Sequence, residues 1–235
     1  MALNSSNSYR DTIRQGAKSA LPVVLGYFPL AFAYGILAVQ AGVSLAWTTL
    51  MSVLVYAGAG QFMIVALLAA GADSLAIVLT VFVVNLRHLL MSAALAPKLG
   101  HLARWRVAAV AAELTDETFA VISVQGQEHG YTSGWLAGLQ VCSHLSWVLG
   151  SVAGAVVGAA VSDPTRWGID FALVAMFLAL LAMQVRRRTT LIVAIVAALV
   201  YRIALPIVNE YWAIIAAATI AATIGVMLKD RLKSK

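Results

Sequence analysis

The chain has 235 residues, of which 62% are hydrophobic and only 11% charged. A soluble globular domain carries about 25% charged residues. That composition and a mean hydropathy of +0.89 exclude an ordinary soluble enzyme or binding module and imply an all-α, polytopic integral membrane bundle. The net charge of +6 does not imply nucleic acid. Lys and Arg lie mainly in short loops and at the ends of apolar segments, which is the pattern that sets membrane topology. The single cysteine, Cys142, excludes an intramolecular disulfide framework.

Apolar stretches of about 17 or more residues can cross the ~30 Å hydrocarbon core as helices. Candidates occur at about 20–39, 45–70, 74–96, 107–125, 134–161, 169–185, 190–207 and 211–228. This predicts seven to eight segments, with broken or kinked helices in segments 1–3. Residues 1–19 are polar and lack a small-residue cleavage site, so they read as a cytoplasmic N-terminal tail leading into a retained helix. Residues 20–228 read as a single transmembrane domain and 229–235 as a basic cytoplasmic C-terminal tail.

Segment 1 holds Pro22, Gly26, Pro29 and Gly35, which predict a kink or a locally unwound stretch. Tyr27 and Tyr34 are seven apart and share a face, either as packing aromatics or as a wall of a substrate pathway. The centre of segment 2 reads YAGAGQF (56–62). Gly58 and Gly60 let another backbone approach, or let the helix break and free its amides for a ligand, and Gln61 has no need to be there for packing alone.

Segment 3 carries VFVVNLRHLLM (81–91), with Asn85, Arg87 and His88 about halfway along an otherwise apolar helix. An Arg at that depth costs roughly 2.5–3.5 kcal/mol on insertion scales and marks a pathway or binding site. Asn85, His88 and Ser92 share one helical face. Arg87 lies about 200° of helix rotation from Asn85, so the two serve one cavity only if the helix is distorted, and otherwise face two interfaces. The basic loop 97–106 fits a cytoplasmic position but comes out external on a simple count of spans. One account is that segment 2 or segment 4 is re-entrant.

Segment 4 carries Glu113, Asp116 and Glu117, which share a face of a continuous helix at i, i+3 and i+4. Apolar flanks favour a helix that lines a cavity. Ionising these acids and Arg87 together would cost on the order of 10 kcal/mol, so pairing or protonation is expected. Arg87 can neutralise only one acid, most simply Asp116 or Glu117, and the surplus acids become candidate proton carriers. In segment 5, Ser146, Gly150, Gly154 and Gly158 place a small residue at every fourth position, a helix-packing stripe. His144 precedes it by one turn, as a hydrogen-bonded structural residue or a ligand. Segments 6–8 read as scaffold, with Arg202 able to snorkel to the interface.

The common metalloprotease, hydrolase and nucleotide-binding signatures do not occur, and the four histidines lack metal-ligand spacing. No metal, cofactor or catalytic residue is expected. An intramembrane enzyme using Glu and His is the remaining enzymatic alternative.

The runs PLAFAYGILAVQAGVS (29–44), YAGAGQFM (56–63), NLRHLLMSAAL (85–95) and ELTDETFA (113–120) resemble the AzlC/YgaZ family. The resemblance spans most of the chain and thins in its last third. It implies a secondary exporter of Val, Leu, Ile and Met in the bacterial inner membrane, with both termini cytoplasmic and a small AzlD-like membrane subunit as partner. A zwitterionic amino acid needs a cation or helix N-terminus for its carboxylate, an acid or carbonyls for its amine, and a dry pocket for its side chain. Tyr34, Gly58, Gly60, Gln61, Asn85 and Arg87 are the expected substrate contacts. His88, Glu113, Asp116 and Glu117 are the expected proton-coupling groups, and Gly150, Gly154 and Gly158 the packing residues. The rival classes are a non-transporting membrane subunit, with the small-residue stripe as its docking face, and a channel.

Overall fold

The computed structural model describes residues 5–160, 166, 168, 171, 174, 175, 178, 182, 188–208 and 210–233. Among them all regular structure is helical: α1 (Ser5–Ser19), α2 (Leu21–Gln40), α3 (Leu45–Leu54), α4 (Gly58–Ala69), α5 (Ser74–Leu95), α6 (Arg104–Ala112), α7 (Asp116–Gln125), α8 (Ser133–Gly158), α9 (Arg188–Ala204) and α10 (Glu210–Lys233), with a short 3-10 turn at Ala96–Leu99. The protein is an all-α membrane protein. Three described helices, Leu21–Gln40, Ser74–Leu99 and Ser133–Gly158, are long and apolar enough to cross a bilayer. The segment expected at 169–185 lies outside the described residues, apart from isolated positions.

The interruption expected in segment 2 is present, and a second one falls in segment 4. Segments 1 and 3 run as single helices, with Pro29 inside α2. Segment 3 contains no Gly or Pro between Ser74 and Leu95, so nothing in its sequence removes a backbone bond. The half-helices α3, α4, α6 and α7 have 10, 12, 9 and 10 residues. At 1.5 Å per residue each covers roughly half of a ~30 Å core.

Local signals explain the ends. Gly42 and Gly71 adopt φ of +84° and +71° in the turns after α2 and α4, which favours glycine. Ser44 Oγ caps α3, and Asp73 Oδ1 caps α5 by accepting from the amides of Leu75 and Ala76 at 3.0 Å each.

The chain divides into two compact units between Leu173 and Val174. In the first, α8 is the central post. Its N-terminal half packs on α1, where Gly134 and Gly138 sit against Thr12 and the Ile13 carbonyl. Its C-terminal half packs on α2. A Cβ on Gly150 would stand 2.7 Å from the Phe28 carbonyl, one on Gly154 would overlap the Phe32 carbonyl, and one on Gly158 would lie 2.8 Å from the Ile36 Cα. The chain's own α2 therefore covers the small-residue stripe, and that stripe is not a free docking face. Two buried clusters flank α8: Tyr27, Tyr34, Tyr56, Phe62 and Trp147 in one, and Leu95, Leu114, Ile122, Trp135 and Leu139 in the other. In the second unit α9 packs on α10, where Ala213, Ala217 and Ala221 form a buried stripe and Gly225 meets Val193.

Candidate site at two helix breaks

The break between α3 and α4 is opened by Tyr56, which takes φ +36°, outside the range a tyrosine prefers. Ala57 precedes α4 and has no side chain to cap it. The first α-helical bond into α4 runs from the Gln61 amide to the Ala57 carbonyl at 2.8 Å. The amides of Gly58, Ala59 and Gly60 thus lack an intrahelical acceptor and form the positive end of a helix dipole.

The two glycines have different neighbours. Gly58 admits the Trp147 ring, which a Cβ would meet at 2.7 Å, and Gly60 faces the Asn85 amide group, which a Cβ there would meet at 3.2–3.3 Å. Asn85 Oδ1 is buried without a hydrogen-bond partner. Gln61 is fully buried and committed to protein. Its Nε2 donates to Ser52 Oγ at 3.2 Å across the break, and its Oε1 accepts from Trp147 Nε1 at 2.7 Å. Ser52 Oγ in turn donates to Ser151 Oγ at 2.8 Å. Tyr34 is fully buried, stacked on the Trp147 ring and edge to face with the Phe62 ring.

The break between α6 and α7 is built differently. Thr115 and Thr118 form a reciprocal capping box: Thr118 N donates to Thr115 Oγ1 at 3.3 Å and Thr115 N to Thr118 Oγ1 at 2.9 Å. The first turn of α7 then carries Asp116 and Glu117, favourably placed at a helix N-terminus.

This break overturns the expectation that Glu113, Asp116 and Glu117 share one helical face. Glu113 ends α6 while the other two begin α7, so the i, i+3, i+4 relation is lost and the acids reach three different partners. Asp116 Oδ2 pairs with Arg87 Nη1 at 2.5 Å, the ion pair expected between segments 3 and 4. Glu117 Oε2 accepts from the Tyr27 hydroxyl at 2.7 Å, and that hydroxyl also lies 2.6 Å from Thr115 Oγ1. Glu113 Oε2 meets His144 Nδ1 at 2.7 Å.

Because α5 is regular, Asn85 and Arg87 face different interfaces: Asn85 meets α4 at Gly60, and Arg87 meets α7 at Asp116. His88 Nδ1 contacts only the Asn85 carbonyl of its own turn, at 3.1 Å, among the described hydrogen bonds. Among the described residues no three His, Cys, Asp or Glu assemble as a metal site.

Aromatic side chains join the two breaks. Tyr27 from α2 meets Tyr56 edge to face at 6.3 Å, and Tyr56 stacks on His144 at 4.0 Å. His144 Nε2 also reaches the Ser52 carbonyl at 3.2 Å, so one imidazole touches the end of α3 and the end of α6. Sequence reading left His144 and Tyr56 out of the site because their partners lie far away in the chain; Glu113 and Ser52 are 31 and 92 residues from His144. An open, mostly apolar cavity of about 420 Å³ lies along α6 and α8, with Glu113, His144, Arg106, Ser133 and Val53 on its wall.

The family model described as AzlC protein matches residues 22–161, which include both breaks. The inner membrane protein YgaZ of Escherichia coli is 34% identical over 188 residues, 77% of each chain. An uncharacterized membrane protein of Archaeoglobus fulgidus is 35% identical over 178 residues, 74% of this chain and 77% of that one. The branched-chain amino acid transport protein AzlC of Bacillus subtilis is 25% identical over 188 residues, 78% of this chain and 73% of that one. No solved structure matches.

Proposed function

The chain belongs to the AzlC family, and from that premise we propose that it is a secondary exporter of branched-chain amino acids, working by proton antiport with a small AzlD-like membrane subunit. The observation that carries this reading is the pairing of an uncapped helix N-terminus at Gly58–Gly60 with an acid-bearing one at Asp116 and Glu117. Discontinuous helices whose ends face a substrate are a recurrent device of secondary transporters.

The substrate carboxylate takes the amides of Gly58 and Gly60 beside Asn85, and the ammonium group takes Asp116. The ammonium group then replaces Arg87 as the partner of Asp116. Tyr34, Trp147 and Phe62 pack behind the break as a buried aromatic core, while Gln61 holds the two halves of the broken helix in register. Protons move on Glu113, Asp116 and Glu117, with His88 nearby on α5. The protein sits in the inner membrane with both termini cytoplasmic.

Efflux of labelled leucine and valine from proteoliposomes under an imposed pH gradient, with and without the small subunit, tests the proposal. Acceleration by the gradient is expected. Leucine flux indifferent to the gradient contradicts antiport, and no flux of any branched-chain amino acid with both subunits present contradicts the exporter reading.

A further inference from the structure

His144 stands between two hydrogen-bond acceptors, the Ser52 carbonyl and the Glu113 carboxyl group. The Ser52 carbonyl can only accept, so the 3.2 Å contact requires a proton on His144 Nε2. The 2.7 Å contact between Nδ1 and Glu113 Oε2 requires another proton between those two atoms. A neutral imidazole has one N–H and cannot supply both bonds to two acceptors. The observed arrangement therefore holds one proton more than a carboxylate and a neutral imidazole together, either as imidazolium with carboxylate or as imidazole with carboxylic acid.

We propose that Glu113 and His144 share one exchangeable proton, taken from and returned to the cavity along α6 and α8, and that this proton fastens both helix breaks to α8. The inference rests on the antiport reading and adds to it the site and the mechanical consequence of the coupled proton. On release, the N–H or O–H bond between the pair breaks, the proton passes to cavity water, and the net charge of the pair falls from zero to −1. The remaining N–H serves either Ser52 or Glu113. The other contact becomes lone pair against lone pair, so one break is let go from α8.

The geometry supports access from one side. Glu113 and His144 line the cavity, and the Glu113 side chain retains 34% exposure. The other groups facing the pair are the Tyr56 ring at the α3–α4 break, with Tyr27 and then Glu117 behind it, and Arg106 and Tyr9 along the same cavity. Arg106 donates to Ser133 Oγ at 3.1 Å. His144 is thus a positioning residue for the breaks as well as a proton holder.

The test uses the full chain with its small subunit in proteoliposomes and compares two fluxes of leucine: exchange at equal pH, and net efflux driven by a pH gradient. His144→Gln keeps an amide N–H for Ser52 but cannot titrate. It should lose gradient-driven efflux at least tenfold more than it loses exchange, and its rate should become flat with external pH. Glu113→Gln should give the same selective loss and carries the test if the first variant does not assemble. Gradient-driven efflux and a pH profile like those of the unsubstituted protein would overturn the inference. Equal loss of both fluxes in a folded variant would also overturn it, by assigning the pair a purely structural role. If the unsubstituted protein transports leucine but ignores the gradient, antiport itself fails and takes this inference with it.

Discussion

The two helix breaks interrupt half-helices of similar length but are finished in opposite ways. At α3–α4 the backbone turns through Tyr56 at φ +36° and α4 starts with no cap, so its first amides stay open. At α6–α7 the backbone is closed by Thr115 and Thr118, and what projects are carboxylates. One break offers donors and the other acceptors. Two similar breaks would bind an anion or a cation, whereas an unlike pair suits a molecule carrying both charges.

Removing Arg87 should have the largest effect. The pair is half-buried, and deleting one partner leaves a lone carboxylate at membrane depth, a cost of roughly 2.5–3.5 kcal/mol on insertion scales. Arg87→Met should lower thermal stability in detergent accordingly and abolish leucine flux. Adding Asp116→Leu to it should restore most of the stability and none of the flux, because the double change removes both charges. Next comes Gln61→Leu. It strands the Trp147 indole N–H and breaks the link to Ser52, a loss of about 1–3 kcal/mol for buried groups left unsatisfied, readable as a drop in melting temperature.

Thr115→Ala removes the capping box and a neighbour of the Tyr27 hydroxyl. A lost N-cap costs about 1 kcal/mol, and flux should fall moderately with little change in substrate selectivity. The smallest change runs the other way. Ala57→Ser gives α4 the cap it lacks and should stabilise the protein by about 0.5–1 kcal/mol while raising KM for leucine, since the added hydroxyl competes for the open amides. Higher stability with unchanged KM would remove α4 from the binding site.

Much of the fold is legible in the sequence because a bilayer imposes strong rules. The starts and ends of α2, α5 and α8 follow from apolar length and from Gly42, Asp73 and Pro97. That Arg87 pairs with an acid of segment 4 follows from the cost of an isolated charge at depth, but the choice of Asp116 over Glu117 is set by the helix break, which gives Glu117 to Tyr27. The break after Glu113 was hidden by the periodicity of the acids, which fits an unbroken helix. Its signal lay in Thr115, followed by two acids and Thr118, which marks the start of a helix within an apolar run. The role of Gln61 as a clamp was equally hidden, since Ser52 and Trp147 reach it only once the chain has folded across a break. No local pattern reports a contact of that kind.

Binding to the purified protein, measured with labelled leucine and two analogues, tests the central claim most directly. 4-Methylpentanoate lacks the amine and leucinamide lacks the carboxylate. Asp116→Asn should weaken leucine and leucinamide at least tenfold and leave 4-methylpentanoate unchanged. Ala57→Ser should weaken leucine and 4-methylpentanoate and spare leucinamide. If each substitution weakens both analogues alike, the two breaks do not divide the zwitterion between them and the account is wrong.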